Sequence, residues 1–279
     1  ASIQSTAIQS EIWKRTLHIA FPKKINKNEI EKVPIKFPSE LEQEQIGTFF
    51  KDLDNLITLH QRKLNNVKKL KAGLLQKMFP QNGEDFPKIR FPGFTEAWEE
   101  RKLGDVSNSY SGGTPSVGKK DYYGGDIPFI RSAEINSDST ELTISEAGLS
   151  NSSAKIVEVG DILYAMYGAT SGEVGISRIN GAINQAILAI RPQENYDSHF
   201  IMQWLRDEKQ KIIDKYLQGG QGNLSGSIVK DLKILFPNYD EQREIGVFFE
   251  RLDNLITLHQ RKLEHLQEQK KALLQQMFI

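Results

Sequence analysis

The chain is expected to fold as an α+β protein: a domain of twisted β-sheet and helices, framed by two long helices that are copies of one another. Three features predict this. Phe49–Phe79 (FFKDLDNLITLHQRKLNNVKKLKAGLLQKMF) recurs 199 positions later as Phe248–Phe278 (FFERLDNLITLHQRKLEHLQEQKKALLQQMF), with Leu53–Leu64 matched residue for residue by Leu252–Leu263. Between the copies lie short runs of β-branched and aromatic residues separated by turn residues. An amphipathic stretch, Asp197–Leu217, then returns to helical spacing. The repeat is far longer than the roughly 20–50 residues of a solenoid, so a module of domain size plus a helix is used twice.

Each helix carries an apolar seam at alternating steps of four and three. In the first copy it runs through Leu53, Ile57, His60, Leu64, Val67 and Leu74, and in the second through Leu252, Ile256, His259, Leu263, Leu266 and Leu273. Sustained spacing of this kind argues for a coiled coil. Phe49, Leu56, Leu59 and Leu75 add a second apolar flank. At about 1.5 Å per residue, each repeated segment makes a strut of roughly 45 Å. Both seams are interrupted at matching places, by His60 and Lys71 and by His259 and Lys270. The histidines could be a metal or catalytic pair, or polar seam residues that fix register. The second reading is preferred, because one His per helix lacks a further ligand at i+3 or i+4; no metal is expected.

The repeat extends upstream of the helices. Ile25–Phe37 corresponds to Leu224–Phe236, Phe37-Pro38 to Phe236-Pro237, and, with one residue of slippage, Glu11–Leu17 to Lys211–Leu217. Residues 1–40 therefore read as the C-terminal remnant of a first module, and 41–79 as the first spacer helix. Pro80 stops that helix. Residues 80–94 read as a linker with an Asn-Gly and two Phe-Pro steps, 88–240 as a complete module opening at Trp98–Leu103, and 241–279 as the second spacer helix. Within the module, Ile127–Arg131, Lys155–Gly168, Glu173–Ile179 and Ala182–Pro192 read as strands.

Composition narrows the function. With 279 residues the chain has room for about two domains. It has no cysteine, which excludes disulfides, thiol catalysis and Cys-ligated metals. No apolar run approaches the ~20 residues of a membrane span, and the first residues lack a secretory pattern, so a cytoplasmic protein without membrane contact is expected. Thirty-six Lys and Arg balance 36 Asp and Glu. That balance suits a nucleic-acid binder only if it works through local patches.

Three loops of the module are rich in hydrogen-bonding groups. Ser111–Gly125 combines a Gly-rich turn with Lys119, Lys120, Tyr122 and Tyr123, a mixture suited to phosphate contact. Tyr167–Gly175 sets small hydroxyl residues between strands, and Gln218–Ser227 offers Gln221, Asn223 and Ser225, side chains able to read base edges. Taken one at a time, each is equally a simple strand-joining turn. Catalytic signatures are missing: QGNLSGS lacks the Lys of a phosphate-binding P-loop. No Gly-x-Ser-x-Gly elbow occurs, and no Pro-Pro pair that an amino-methyltransferase motif would need.

Taken together, LDNLITLHQRKL, FPGFTEAWEERKLGDV, GDILYAMYGATSGEVG, NQAIL and GNLSG, in this order, resemble the specificity subunit of a Type I restriction-modification enzyme. The resemblance covers essentially the whole chain. It implies a non-catalytic, sequence-specific DNA-binding subunit whose module reads one half of a bipartite double-stranded site, and whose two helices pair as an antiparallel coiled coil. It also implies methyltransferase (modification) and restriction (motor-nuclease) subunits as partners, which would bring S-adenosylmethionine, ATP and magnesium; a second specificity chain is a further candidate partner. The residues then expected at DNA are Lys119, Lys120, Tyr122, Arg131, Tyr167, Thr170, Ser171, Arg178, Gln221 and Asn223. The alternative is a coiled-coil protein-interaction scaffold that does not touch DNA, which the module's 16 Lys and Arg against 20 Asp and Glu over residues 88–240 would favour.

Overall fold

The computed structural model describes residues 6–19, 21–35, 37–81, 84–217 and 223–277. It divides into two compact units, one of residues 1–68 with 254–279 and the other of residues 69–253. Two 39-residue helices, α3 (Glu40–Met78) and α8 (Tyr239–Met277), contribute to both units. Each is roughly 58 Å long by its helical rise. They exceed the repeated 31-residue pattern because capped Glu- and Gln-rich turns precede it. Ser39 Oγ accepts the Glu42 N–H at 3.4 Å, and Asn238 Oδ1 accepts the Glu241 N–H at 3.0 Å, each filling one of a helix start's unpaired donors.

In the first unit, two short helices, α1 (Thr6–Lys14) and α2 (Lys27–Glu31), precede the first segment of α3. Asn26 caps α2 by accepting the Glu29 N–H at 2.9 Å. The long helices run antiparallel here: Asp54 pairs with Lys270 while His60 meets His259. Leu64, Leu263 and Leu266 are buried between them, with Leu53, Ile57, Val67, Ile256 and Leu273 half-buried alongside. His60 Nδ1 lies 3.3 Å from His259 Nδ1, a contact that needs a proton on one nitrogen and a lone pair on the other. A residue can meet its own repeat only close to a twofold axis, so the axis relating the helices passes between these rings.

Among the described residues, the second unit holds three sheets and the remaining helices. Strands β1 (Glu99–Lys102) and β10 (Lys233–Phe236) form an antiparallel pair. A four-stranded antiparallel sheet runs β2-β9-β6-β7, from β2 (Ser107–Ser111), β9 (Ile187–Pro192), β6 (Ile162–Ala165) and β7 (Val174–Ile176). A mixed sheet runs β4-β3-β8-β5, from β4 (Thr143–Ile144), β3 (Tyr123–Ile130), β8 (Gly181–Ile183) and β5 (Lys155–Val157), with β3 and β8 parallel. Both sheets feed one apolar cluster through Ile130, Val157, Leu163, Ala165, Ile183, Ile187 and Ala189. Burial on both faces explains why β6 reads Ile-Leu-Tyr-Ala with no polar alternation.

Three segments differ from their reading in the sequence. Lys155–Gly168, expected as one strand, is β5 and β6 in different sheets, with the Asp161 N–H donating to Glu158 O at 3.1 Å in the turn between them. Ala182–Pro192, expected as one strand, is β8 and β9 in different sheets. Asn184 turns the chain between them, its Oδ1 accepting the Ala186 N–H at 3.1 Å. The expected helix Asp197–Leu217 is two, α5 (Ser198–Asp207) and α6 (Lys209–Tyr216), joined through Glu208, with Asp197 capping the first. Two short helices complete the unit, α4 (Glu146–Ser150) and α7 (Gly226–Lys230).

An aromatic cluster holds the unit's part of the long helices to its sheets. Phe200 of α5 packs on Phe79 at 5.1 Å, Trp98 at 5.6 Å and Phe236 at 5.7 Å, and Phe79 also meets Phe249. One helical turn away, Asp253 accepts from Lys71 Nζ at 2.6 Å, Gln203 Nε2 at 2.7 Å and Arg206 at 3.0 Å. Burial lowers the Lys71 pKa from its ordinary value, and only Asp253 opposes that shift strongly. Replacing Asp253 with Ala should therefore strand a buried cation and destabilise the protein by about 3 kcal/mol in chemical denaturation; a loss below about 0.5 kcal/mol would show that Lys71 finds another partner.

The histidine pair generates a second expectation. Desolvation, followed by His259, Lys63 and Lys262, lowers the His60 pKa. An unfolded His titrates near 6.5. Below about that pH the unfolded chain binds a proton that the folded one resists, so stability is complete above it and falls as pH drops. Melting temperature should decline between about pH 7.5 and 5.5 in the wild-type protein and decline less in a His60→Asn, His259→Asn double variant. Parallel declines would remove the pair from any pH response.

Candidate nucleic-acid interface

Strand polarity gathers several loops at one edge of the antiparallel sheet. Ser111 at the end of β2 pairs with Leu188, and Ala165 at the end of β6 pairs with Ile187. The segments after β2, after β6 and before β9 must therefore leave the sheet side by side. Backbone bonds knit them: Met166 N–H donates to Ala186 O at 2.8 Å, Gly113 N–H to Ile183 O at 3.2 Å, and Leu224 N–H to Met166 O at 3.0 Å. The approach is so close at Gly112 that a Cβ there would lie 1.9 Å from Ile183 O.

Polar side chains decorate this edge. Tyr167 and Asn223 face one another across an isolated antiparallel bridge. The chain leaves Tyr167 through a 3-10 turn, Gly168–Thr170, with Gly168 and Gly172 at φ of 69° and 78°, a region that disfavours side chains. Thr170 Oγ1 donates to Tyr167 O at 3.3 Å, and Thr114 Oγ1 donates to Gln185 Oε1 at 2.6 Å. Asn223, Thr114 and Gln185 are exposed, and Tyr167 and Thr170 half-buried. The edge thus presents amides, hydroxyls and an aromatic ring, groups that pair with base edges and sugar-phosphate oxygens.

The residues expected at DNA divide between several places. Tyr167, Thr170, Ser171 and Asn223 come together at this edge. Ser171 is buried, however, and donates to Met166 O at 3.2 Å, which makes it part of the loop's frame. Lys119 and Lys120 are exposed on the loop that leaves the edge at Gly112, just before the half-buried Tyr122, and join no ion pair among the described residues. That loop is tied back by Tyr123 Oη, which donates to Pro115 O at 2.6 Å. Arg178 follows β7, whose Ile176 pairs with Ile162 at the start of β6, so it sits at the opposite edge. Gln221 lies outside the described residues.

Arg131 is held by carboxylates. It donates two bonds to Glu134 at 3.0 and 2.9 Å and one to Glu141 at 2.6 Å. This clasp lowers the Glu134 pKa to about 2 and raises that of the arginine. Its charge is largely matched within the protein, so it adds little to a cationic footprint. Two edge residues, Thr114 and Gln185, escaped the sequence reading. Reading Ala182–Pro192 as one strand hid Gln185, whereas Asn184, whose side chain accepts from the Ala186 N–H, is the turn former in that run.

The family model of the Type I restriction modification DNA specificity domain matches residues 11–69 and 95–268. Among curated relatives, the Type I restriction enzyme MjaVIII specificity subunit of Methanocaldococcus jannaschii is 24% identical over 266 residues, covering 90% of this chain and 62% of its own length. The MjaIX specificity subunit of the same organism is 27% identical over 190 residues, covering 65% of this chain and 44% of its own. The chain therefore spans less than two thirds of the length of these relatives. A crystal structure of the Type-I restriction-modification system S subunit from M. genitalium has the same fold, with a TM-score of 0.68 at 16% identity, over 98% of this chain and 70% of that one.

Gly112 offers a direct test of the edge geometry. A Gly112→Ala variant should lose about 2 kcal/mol or more, since a backbone clash with Ile183 cannot be relieved by a rotamer change. A variant as stable as wild type in a denaturant titration would mean that the two strand ends do not approach as described.

Proposed function

Because this chain belongs to the family of type I restriction modification DNA specificity domains, we propose that it is a non-catalytic, sequence-specific DNA-binding subunit that reads one half of a bipartite double-stranded site. The observation that carries the reading is the convergence of Tyr167, Thr170, Asn223, Thr114 and Gln185 on one edge of the β2-β9-β6-β7 sheet. Asn223 and Gln185 carry the amides that suit adenine edges in the major groove. Lys119 and Lys120, exposed and without acidic partners among the described residues, suit phosphates. In this reading the paired helices set the distance between the two half-sites. Methyltransferase and restriction subunits assemble with the chain and carry S-adenosylmethionine, ATP and magnesium, while this chain supplies the address.

A module with more acids than bases also suits a scaffold that binds protein only, and one assay separates the two. The chain, alone and with methyltransferase subunits, is incubated with a pool of randomised duplexes. Enrichment of a short motif supports the DNA reading, and enrichment of none sinks it. In the salt titration that follows, a Lys119→Ala, Lys120→Ala variant should weaken binding on all sequences and reduce the slope of log K against log salt by about 2. Asn223→Ala should instead change the preferred sequence, with a loss of about 1–3 kcal/mol on the wild-type motif. An unchanged slope in the lysine variant would remove those lysines from the interface.

A further inference from the structure

Two loops of the sheet edge meet through side chains as well as backbone. Thr114 follows β2, Gln185 lies between β8 and β9, and the Thr114 hydroxyl donates to Gln185 Oε1 at 2.6 Å. Both residues are exposed. An exposed hydrogen bond between neutral side chains adds little to folding. Its consequence is geometric: it sets which end of the amide points where.

The backbone on either side of this pair is held. Gly113 N–H donates to Ile183 O at 3.2 Å, and Tyr123 Oη donates to Pro115 O at 2.6 Å, so both chain neighbours of Thr114 are tied down. Asn184 Oδ1 accepts the Ala186 N–H at 3.1 Å, and Met166 N–H donates to Ala186 O at 2.8 Å, which tie the neighbours of Gln185 in the same manner. Gln185 therefore stands on an anchored turn, and Thr114 restricts the last rotation of its side chain.

An unrestrained glutamine amide is a permissive reader. Turned one way it offers an N–H to the acceptors of guanine or thymine, and turned another it meets adenine with one donor and one acceptor. With Oε1 held by Thr114, the amide keeps one order. The carbonyl oxygen retains a second lone pair, and Nε2 makes no hydrogen bond among the described residues. What remains is an acceptor beside donors, the complement of adenine N6–H and N7.

We propose that Gln185 determines specificity for an adenine in the major groove and that Thr114 is its positioning residue, locking the amide before DNA arrives. The assignment rests on the DNA-reading function proposed above and adds the base and the residue pair that selects it. An amide ordered in advance loses less entropy on binding. Rotation that would present the N–H end to guanine breaks the Thr114 bond, so selectivity comes from a cost against competitors as well as an attraction to adenine.

The experiment is selection from a randomised duplex pool by the full chain with methyltransferase subunits, comparing wild type with Gln185→Ala, Thr114→Val, Thr114→Ser and the Gln185→Ala, Thr114→Val double variant. Gln185→Ala should lose preference at one A·T pair of the motif. Thr114→Val, similar in shape but without the hydroxyl, should lower adenine preference at that same pair roughly tenfold. Thr114→Ser, which keeps the donor, should retain it, a rescue that separates the lock from a general loosening of the edge. The double variant should match Gln185→Ala. A Thr114→Val profile identical to wild type overturns the proposal, and so does a Gln185→Ala effect at a G·C pair or at none. A wild-type chain that enriches no motif overturns the DNA reading together with this assignment, a result distinct from an enriched motif that ignores Thr114.

Discussion

A helix that packs against its own repeat must answer every seam residue twice. His60 meets His259, its own counterpart, at 3.3 Å. Asp54 pairs with Lys270, and the exchanged pair, Asp253 with Lys71, occurs as well. Apolar seams alone tolerate sliding by a heptad, because Leu and Ile pack on Leu and Ile at several registers. Here a slip in either direction would part the histidines, break both ion pairs and leave the buried Lys71 without its carboxylate. The polar interruptions therefore favour a single register at some cost in stability.

That constraint reaches the candidate interface through packed elements of the second unit. Asp253 of α8 fixes Gln203 and Arg206 on α5. Arg206 in turn donates to Val174 O on β7 at 3.2 Å and to Asn136 Oδ1 at 3.2 Å. β7 pairs with β6, whose end carries Tyr167. The loop expected to face DNA is thus mounted on a sheet that is bolted to a helix. Lys209, which pairs with Glu173 at the base of the loop, adds a second tie. A loop mounted this way is held in place by its scaffold, so any ligand it met would find less to order.

Much of the architecture was legible in the sequence because it was written twice. Repeated heptads gave both helices, their seams and the matching interruptions at His60 and Lys71, which the structure pairs with His259 and Asp253. The interface was legible only in part. Tyr167, Thr170 and Asn223 stood out as polar residues in small-residue loops, but their assembly depends on strand order, with β9 between β2 and β6, which local pattern does not encode. Arg131 and Ser171 looked available because sequence shows a side chain and not its partners. Glu134 and Glu141 engage the arginine, and Met166 O engages the serine. Gln185 was hidden by a continuous apolar run, since Ala182–Ile183 and Ile187–Ile190 face one core from two sheets.

Identical residues in different surroundings carry the last step. Phe236 is 4% exposed, covered by Tyr196 and Phe200, whereas its repeat, Phe37, is 72% exposed. Glu241 is clasped by Arg90, whereas Glu42 is open to solvent. An exposed Phe contributes little burial, and an exposed Glu in a first turn contributes mainly its helix-start charge. At the second copy of these turns Arg90–Phe94 brings an arginine, two rings and a proline over the helix start, and the burial of Glu241 follows from that cover rather than from the repeated sequence itself.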